Sequence, residues 1–467
     1  MKMMGLRDLP ISSPGEDRLG LKVYAEIFAD YIRDCSTPTT IAIQGDWGCG
    51  KTSLMRLIKS ELESGSQKDS PINTLWFHTW QFSQFSQADN LPFLLIQDLA
   101  RKIDSRKSND ITNRLLSITG ALGKGIALSA ASIVGQGEAA KNVIANLEKM
   151  SKGTDMAHEI EDLHEKLMEL IRAKARTSGR LVIFVDDLDR IRPVRAIELL
   201  EVMKLFLESE GCVFVLAIDY EVIRRGLEEK FGIAKAESLE SYFDKLIQVP
   251  FRVPQDRAGN RLYTHHLLDS LGIKHSDKDV ELYVNLLDRS AGFNPRKMKR
   301  LLNTILLHLM VGKKLFNRPD IFPMHLNVDS ADIARLLFAF QCLALMDYAP
   351  LKAFPELFSG TVEEIRERLE RLRSFSREDI TKPHFDGLRE ALAKKGVSPG
   401  MLNGIVERYG SFLETFYRAI RFTGAPDDQP ISAKEIQKLR EILDFSAIIL
   451  EQQGIDNELQ DENCREN

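Results

Sequence analysis

The sequence lacks the cysteine spacing of a stapled or metal-pinned fold. Its five cysteines, Cys35, Cys49, Cys212, Cys342 and Cys464, form no CxxC pair and have no histidine at zinc-like spacing. That excludes a disulfide framework and a structural zinc site, and it favours a reducing compartment. The stretch from Met1 to Pro10 has no apolar core of the kind a secretory signal needs, so the expected location is cytoplasmic. An excess of one charge is also missing from most of the chain. The net charge is -5, and residues 451–467 carry all of it: Glu451, Asp456, Glu458, Asp461, Glu462 and Glu466 stand against Arg465, while the other 450 residues balance at 62 acids and 62 bases. A neutral body offers no bulk attraction to nucleic acid, so any basic surface has to be built by clustering.

Long apolar runs are nearly absent. Only Leu115 to Gly135, with the single charge Lys124, reaches the length of a membrane span. Glycine, serine and threonine dilute it, and Lys124 at the bilayer centre would cost about 2.5–3.5 kcal/mol. A single span would also put the two halves of the site described below on opposite sides of a membrane. A helical hairpin is therefore expected at 115–135, with peripheral membrane association as the alternative. What remains is an ordinary globular composition, 43% apolar and 28% charged over 467 residues, enough for two to four domains.

Strand-like runs without polar alternation recur between helical patterns: 39–45, Thr74 to Phe77, Leu181 to Val185, Cys212 to Ile218, and Lys245 to Val249 closed by Pro250. Such runs predict an α/β fold with a parallel sheet covered by helices on both faces. Leu163, Leu167, Leu170 and Ile171 mark a helix that ends near Gly179, and Pro193 opens the next. From Arg257 onward every pattern is helical: 257–270, 277–289, 295–311, 330–347, 362–374, 400–421 and 433–452. The expected domains are an N-terminal segment with the first helix (1–36), a core (37–254, with a helical insertion at about 104–155), a helical lid (255–325), a helical C-terminal domain (326–452) and an acidic disordered tail (453–467).

Between the first strand and its helix, Gly45, Asp46, Trp47, Gly48, Cys49, Gly50, Lys51 and Thr52 match G-x-x-x-x-G-K-[ST]. Polyphosphate needs converging backbone N–H donors, and a turn with little side-chain bulk at a helix N-terminus supplies them. Lys51 brings a mobile charge to the β- and γ-phosphates, the Thr52 hydroxyl is placed for Mg²⁺, and Ser53 completes the loop. At the end of the 181–185 strand, expected to neighbour the loop, Asp186 is placed to hold Mg²⁺ and Asp187 to orient an attacking water. Strand alternation would point these two carboxylates apart. Asp189 and Arg190 read equally as a catalytic part or as an ion pair that fixes the loop.

These residues resemble the KAP family of P-loop NTPases, within the AAA+ and STAND-related division. The resemblance rests on GDWGCGKTSL (45–54), WFHTW (76–80), VDDLDR (185–190), VFVLAID (213–219), YFDKLIQVPF (242–251) and GFNPRKMKRLLN (292–303). It implies an ATPase with a helical lid, ATP and Mg²⁺ as ligands, and slow turnover without a partner. It further implies a sensor at Asp219, which reads equally as the N-cap of the following helix, and an arginine at Arg296 acting in cis or on a neighbouring subunit. Asp17 to Gly20 resemble the segment beside the adenine, favouring ATP over GTP. Cys49, at a helix N-terminus, allows a lowered thiol pKa, although a small tolerated side chain explains it better. Trp76, Phe77, Trp80, Phe82 and Phe85 read better as core than as a base-stacking platform.

The expected function is a nucleotide-dependent switch or assembly ATPase, self-associating or binding a partner protein through its helical C-terminal region, in bacterial anti-phage defence or signalling. One alternative is a nucleic-acid motor or loader, using Lys102, Arg106, Lys107 and Arg114 with the cations of 289–300. The other is a non-hydrolysing scaffold that nucleotide stabilises.

Overall fold

The structure, a computed structural model, describes residues 5–11, 13–64, 72–81, 91–106, 108–113, 115, 156–207, 210–232, 246–254, 256–316, 331–345, 360–373, 399–422 and 429–442. They divide into two compact units, residues 10–254, and residues 255–467 together with 1–9. The tail at 453–467 and residues 116–135 of the apolar run lie outside the described residues. Among the described residues no helix is long and apolar enough to cross a membrane.

In chain order the first unit contains α1 (Leu21–Asp34), β1 (Thr39–Gln44), α2 (Lys51–Ser64), β2 (Ile72–His78), α3 (Leu91–Ile103), α4 (Met156–Ser178), β3 (Arg180–Asp186), α5 (Pro193–Leu207), β4 (Cys212–Ile218), α6 (Tyr220–Phe231) and β5 (Val249–Arg252). The strands form one sheet in the order β2-β3-β4-β1-β5, and every pair is parallel. The apolar runs are explained by burial on both faces. Leu181, Ile183 and Val185 of β3 point into a core shared with Leu99, Ile171 and Ile197. Val182 and Phe184 point into the opposite core, with Ala25, Ile32, Leu54 and Ile58 of α1 and α2. This is the α/β P-loop architecture, with a helical region after it.

Two expectations change. The strand expected at 245–249 is β5 at Val249–Arg252; Leu246 and Ile247 are buried in the core instead. Pro250 sits within the strand because β5 is at the sheet edge, where a missing N–H leaves no partner unsatisfied. The acidic strand β3 is also not adjacent to β1, because β4 lies between them.

The second unit contains α7 (Arg257–Leu271), α8 (Asp277–Ala291), α9 (Pro295–Phe316), α10 (Ala331–Ala344), α11 (Val362–Arg373), α12 (Pro399–Ile420) and a further helix at 433–442. Buried Arg335 joins three of these segments. It pairs with Asp279 at 2.5 Å and Asp332 at 2.6 Å, and it donates to the carbonyls of Ala419 and Arg421. The N-terminal stretch is held on α9: Leu6 N donates to Asn303 Oδ1 at 2.7 Å, and Asn303 Nδ2 donates to Leu6 O at 2.9 Å.

α6 packs against α5 at Gly226, where a Cβ would stand 2.4 Å from Pro193 O and 2.7 Å from Ile197 Cγ1. In an open helix Gly→Ala gains about 1 kcal/mol, whereas overpacking here costs about 1–3 kcal/mol. Gly226→Ala is therefore expected to lower the thermal midpoint of the first unit by about 2–8 °C. An unchanged or higher midpoint in calorimetry would contradict this packing.

Candidate functional site

A parallel sheet delivers every strand's last residue to one edge, and the phosphate loop leaves β1 there. Gly45, Gly48 and Gly50 have φ of 153°, 90° and 111°, values that side chains rarely adopt. A Cβ on Gly45 would also come within 2.6 Å of Cys49 Sγ. Gly45 N donates to Ile218 O at 3.2 Å, tying the loop to the end of β4. Cys49 is buried, and that burial pushes its thiol pKa up despite nearby Lys51. This removes the reading of Cys49 as an acidified thiol at a helix end.

Lys51 is buried beneath the loop. Its Nζ donates to Gly45 O at 2.7 Å and Asp46 O at 3.3 Å, and pairs at 3.0 Å with Asp189, itself buried. Asp189 is thus ion-paired with Lys51 and not with Arg190, which pairs with Asp187 instead. Asp46 and Trp47 are exposed at the tip of the turn, Trp47 by 51%. The Ser53 hydroxyl accepts from Ile11 N at 3.4 Å, which lays the N-terminal segment along the loop. Leu19 and Leu21 approach the same loop, their Cδ1 atoms 3.8 and 3.4 Å from where a Gly50 Cβ would stand. Asp17 fixes this segment by accepting from Leu19 N at 3.1 Å and Lys22 N at 2.8 Å.

The Thr52 hydroxyl donates to Asp186 Oδ1 at 3.0 Å across the end of β4. Asp186 is only 2% exposed. Thr79 Oγ1 donates to its main-chain oxygen at 2.9 Å, and Asp187 N donates to its Oδ1, also at 2.9 Å. Oδ2 is buried without a partner among the described residues. Burial, and then the charge of Asp187, push the Asp186 carboxyl up to about 6. A polar atom orphaned in this way is costly unless something binds it. One hydroxyl beside one orphaned carboxylate oxygen fits a hard divalent cation, and the Cβ-free loop fits a polyphosphate.

Asp187 departs from strand alternation: β3 ends at Asp186, and Asp187 is left-handed at φ 64°, the one non-glycine with positive φ among the described residues. A turn, not the pleat, separates the two carboxylates. Arg190 Nε pairs with Asp187 Oδ1 at 2.7 Å and its guanidinium lies 5.7 Å over the Trp80 ring. His78 Nδ1 stands 3.7 Å from Asp187 Oδ2.

His78 is the residue that sequence reasoning missed. It is the register partner of Asp186 in the β2–β3 ladder, a pairing visible only once the sheet order is known. Of the neighbouring aromatics, Phe77 is fully buried and Trp76, partly buried, stacks on Phe184 at 5.1 Å, whereas Trp80 is 38% exposed and is not core. Phe82 and Phe85 lie outside the described residues. Asp219 Oδ1 accepts from Glu221 N at 3.0 Å, so it caps α6. Arg296 belongs to the second unit, where its Nε pairs with Asp8 at 2.9 Å. Several cations of the alternative basic patch have partners of their own. Lys102 pairs with Asp98 and donates to Trp76 O; Arg289 donates to Ser411 O and Thr415. Lys107 and Arg114 lie outside the described residues.

Residues 21–311 match the KAP family P-loop domain. Over 276 residues the chain is 23% identical to the phage T7 exclusion protein of Escherichia coli strain K12, covering 54% of this chain and 35% of that protein. The chain thus spans about a third of that relative's length. Among solved structures, Aeropyrum pernix ORC1 in complex with DNA aligns at 17% identity and a TM-score of 0.33, over 84% of this chain and 88% of its own. Aquifex aeolicus DnaA bound to AMPPCP aligns at 11% identity and a TM-score of 0.28, over 86% and 98%. At those scores the likeness is loose, and the architecture rests on the strand order.

The raised carboxyl of Asp186 has a consequence for stability. The native state binds more protons than the unfolded chain between the ordinary 3.8 and about 6, so Asp186 makes the protein less stable as pH rises through that window. In nucleotide- and magnesium-free protein, the stability of wild type minus that of Asp186→Asn is expected to fall by about 2 kcal/mol between pH 4 and pH 7. A flat difference in denaturant titrations would show that the carboxyl is not strained.

Proposed function

This chain belongs to the KAP family of P-loop NTPases, and from that membership we propose that it binds MgATP at Gly45 to Ser53 and hydrolyses it as a nucleotide-dependent switch. The observation that carries the reading is the Thr52–Asp186 contact at 3.0 Å, with an orphaned carboxylate oxygen beside it. Thr52 and Asp186 would hold Mg²⁺, which when bound neutralises phosphate oxygens. Lys51 exchanges Asp189 and the carbonyls of Gly45 and Asp46 for the β- and γ-phosphates. Asp187, fixed by Arg190 and by its own left-handed turn, orients the attacking water and takes its proton. Asp219 acts as a sensor only through the carboxylate oxygen that does not cap α6. Arg296 completes the site, in cis or on a neighbouring copy, after release from Asp8. The segment from Asp17 to Gly20, laid against the loop through Leu19, supports adenine over guanine as the base.

In this reading residues 255–325 are the lid, and residues 326–452 present the switch to a partner protein or a second copy of the chain. Val23, Ile27 and Tyr31, exposed by 60, 60 and 42% on one face of α1, support self-association. The relative named for excluding phage T7 supports anti-phage defence as the setting. The nucleic-acid motor is disfavoured because several described cations of its patch, Lys102, Arg289, Lys297 and Lys299, are held by internal partners.

Lys51→Ala is expected to abolish ATP binding in equilibrium titration. Asp187→Asn, which tolerates a left-handed backbone, should keep binding near the parent's and reduce turnover by at least about 10²-fold. Equal turnover would remove Asp187 from the mechanism, and retention of biological function by a non-hydrolysing Asp187→Asn would favour the scaffold reading. Expressed in Escherichia coli, the parent chain should lower the plating efficiency of phage T7 and Lys51→Ala should not; equal plating on both would exclude the defence role against that phage.

A further inference from the structure

The C-terminal ends of β2 and β3 place an imidazole beside two carboxylates. His78 and Asp186 are register partners, and the turn after β3 brings back Asp187, so that one ligand atom from each of His78, Asp186 and Asp187 lies within 4.8 Å of the others. Asp186 Oδ1 is used by the Thr52 hydroxyl and the Asp187 amide, at 3.0 and 2.9 Å, whereas its Oδ2 is buried and has no partner among the described residues. His78 is steadied by the Trp76 ring, 5.7 Å away. Asp187 offers Oδ2 toward His78 while Arg190 holds its Oδ1. With one guanidinium against two carboxylates, this cluster lacks about one positive charge. Nothing in the Thr52 side of the site requires a histidine. β2 flanks β3 on the side away from β4 and the phosphate loop.

We infer that His78, Asp186 and Asp187 form a second cation position on the β2 flank of Asp186, selective for a first-row divalent ion of the Mn²⁺ class over Mg²⁺. Mg²⁺ prefers an all-oxygen octahedron and keeps its waters. An imidazole nitrogen with carboxylate oxygens suits Mn²⁺ and its heavier neighbours. Asp186 would then be a ligand common to both ions, so the inference rests on the nucleotide-site reading for one shared ligand and is otherwise independent of it.

The test uses the full chain, free of nucleotide, titrated with Mn²⁺ at pH 8 and observed by electron paramagnetic resonance. Bound Mn²⁺ should show electron spin-echo modulation from a directly coordinated nitrogen. His78→Gln should remove that coupling and raise the Mn²⁺ dissociation constant at least about 10-fold. Asp187→Asn should weaken binding while leaving the nitrogen coupling in place. Oxygen-only coordination in the parent overturns the inference. So does a nitrogen coupling that persists in His78→Gln, which would point to the His265, Asp269 and His275 group in the second unit. ATP binding in Mg²⁺ is measured on the same parent sample. A chain that binds ATP but shows no nitrogen coupling sinks the His78 site alone, and one that binds Mn²⁺ through His78 but no ATP sinks the nucleotide reading alone.

Discussion

The parallel direction of the sheet is the constraint on which the site depends. Because β1 to β5 all run the same way, Gln44, His78, Asp186 and Ile218 finish on one edge, and residues far apart in sequence converge there without long side chains. Parallel pairing needs helical crossovers, which bury both faces of the sheet. The same requirement writes the apolar runs into β3 and β4 and gives α2 its start directly after the phosphate loop. Insertion of β4 between β1 and β3 sets the spacing that Thr52 spans to meet Asp186.

Polar groups at this edge are held by one another more than by solvent. Lys51 and Asp189 are both buried, and a buried pair of this kind is strongly destabilised when either member is removed alone. Asp186 shows the opposite condition. Its carboxyl is pushed up to about 6 by burial and by Asp187, and one oxygen is left without a donor. The protein carries this local strain inside an otherwise well-packed sheet, as expected where binding rather than stability sets the residue choice.

Much of this was legible in the sequence because it depends on near neighbours. The phosphate loop is a local string, and the acids at 186–189 follow an apolar strand. Helices at 193, 257, 277 and 295 announce themselves by proline and apolar spacing. What sequence reasoning could not reach depends on who lies beside whom. The pairing of His78 with Asp186 needs the sheet order, and the Asp8–Arg296 pair joins residues 288 positions apart. Pro250 looks like the end of a strand until its strand is known to be an edge. The left-handed turn at Asp187 replaces a simple alternation argument with a backbone conformation that carries no strong sequence mark.

The pairing of Lys51 with Asp189 also bears on how a ligand first approaches. Around the phosphate loop Lys51 and Arg190 stand against Asp46, Asp186, Asp187 and Asp189, so the region is net negative when all are ionised. A free triphosphate, with about four negative charges, meets repulsion there at long range, whereas the same anion already complexed to a divalent ion carries half that charge. Encounter thus favours the metal-complexed nucleotide, and the association rate should rise with added salt as the repulsion is screened. The loop amides act only at short range, after the charge barrier has been crossed, so affinity and order of arrival are set by different atoms.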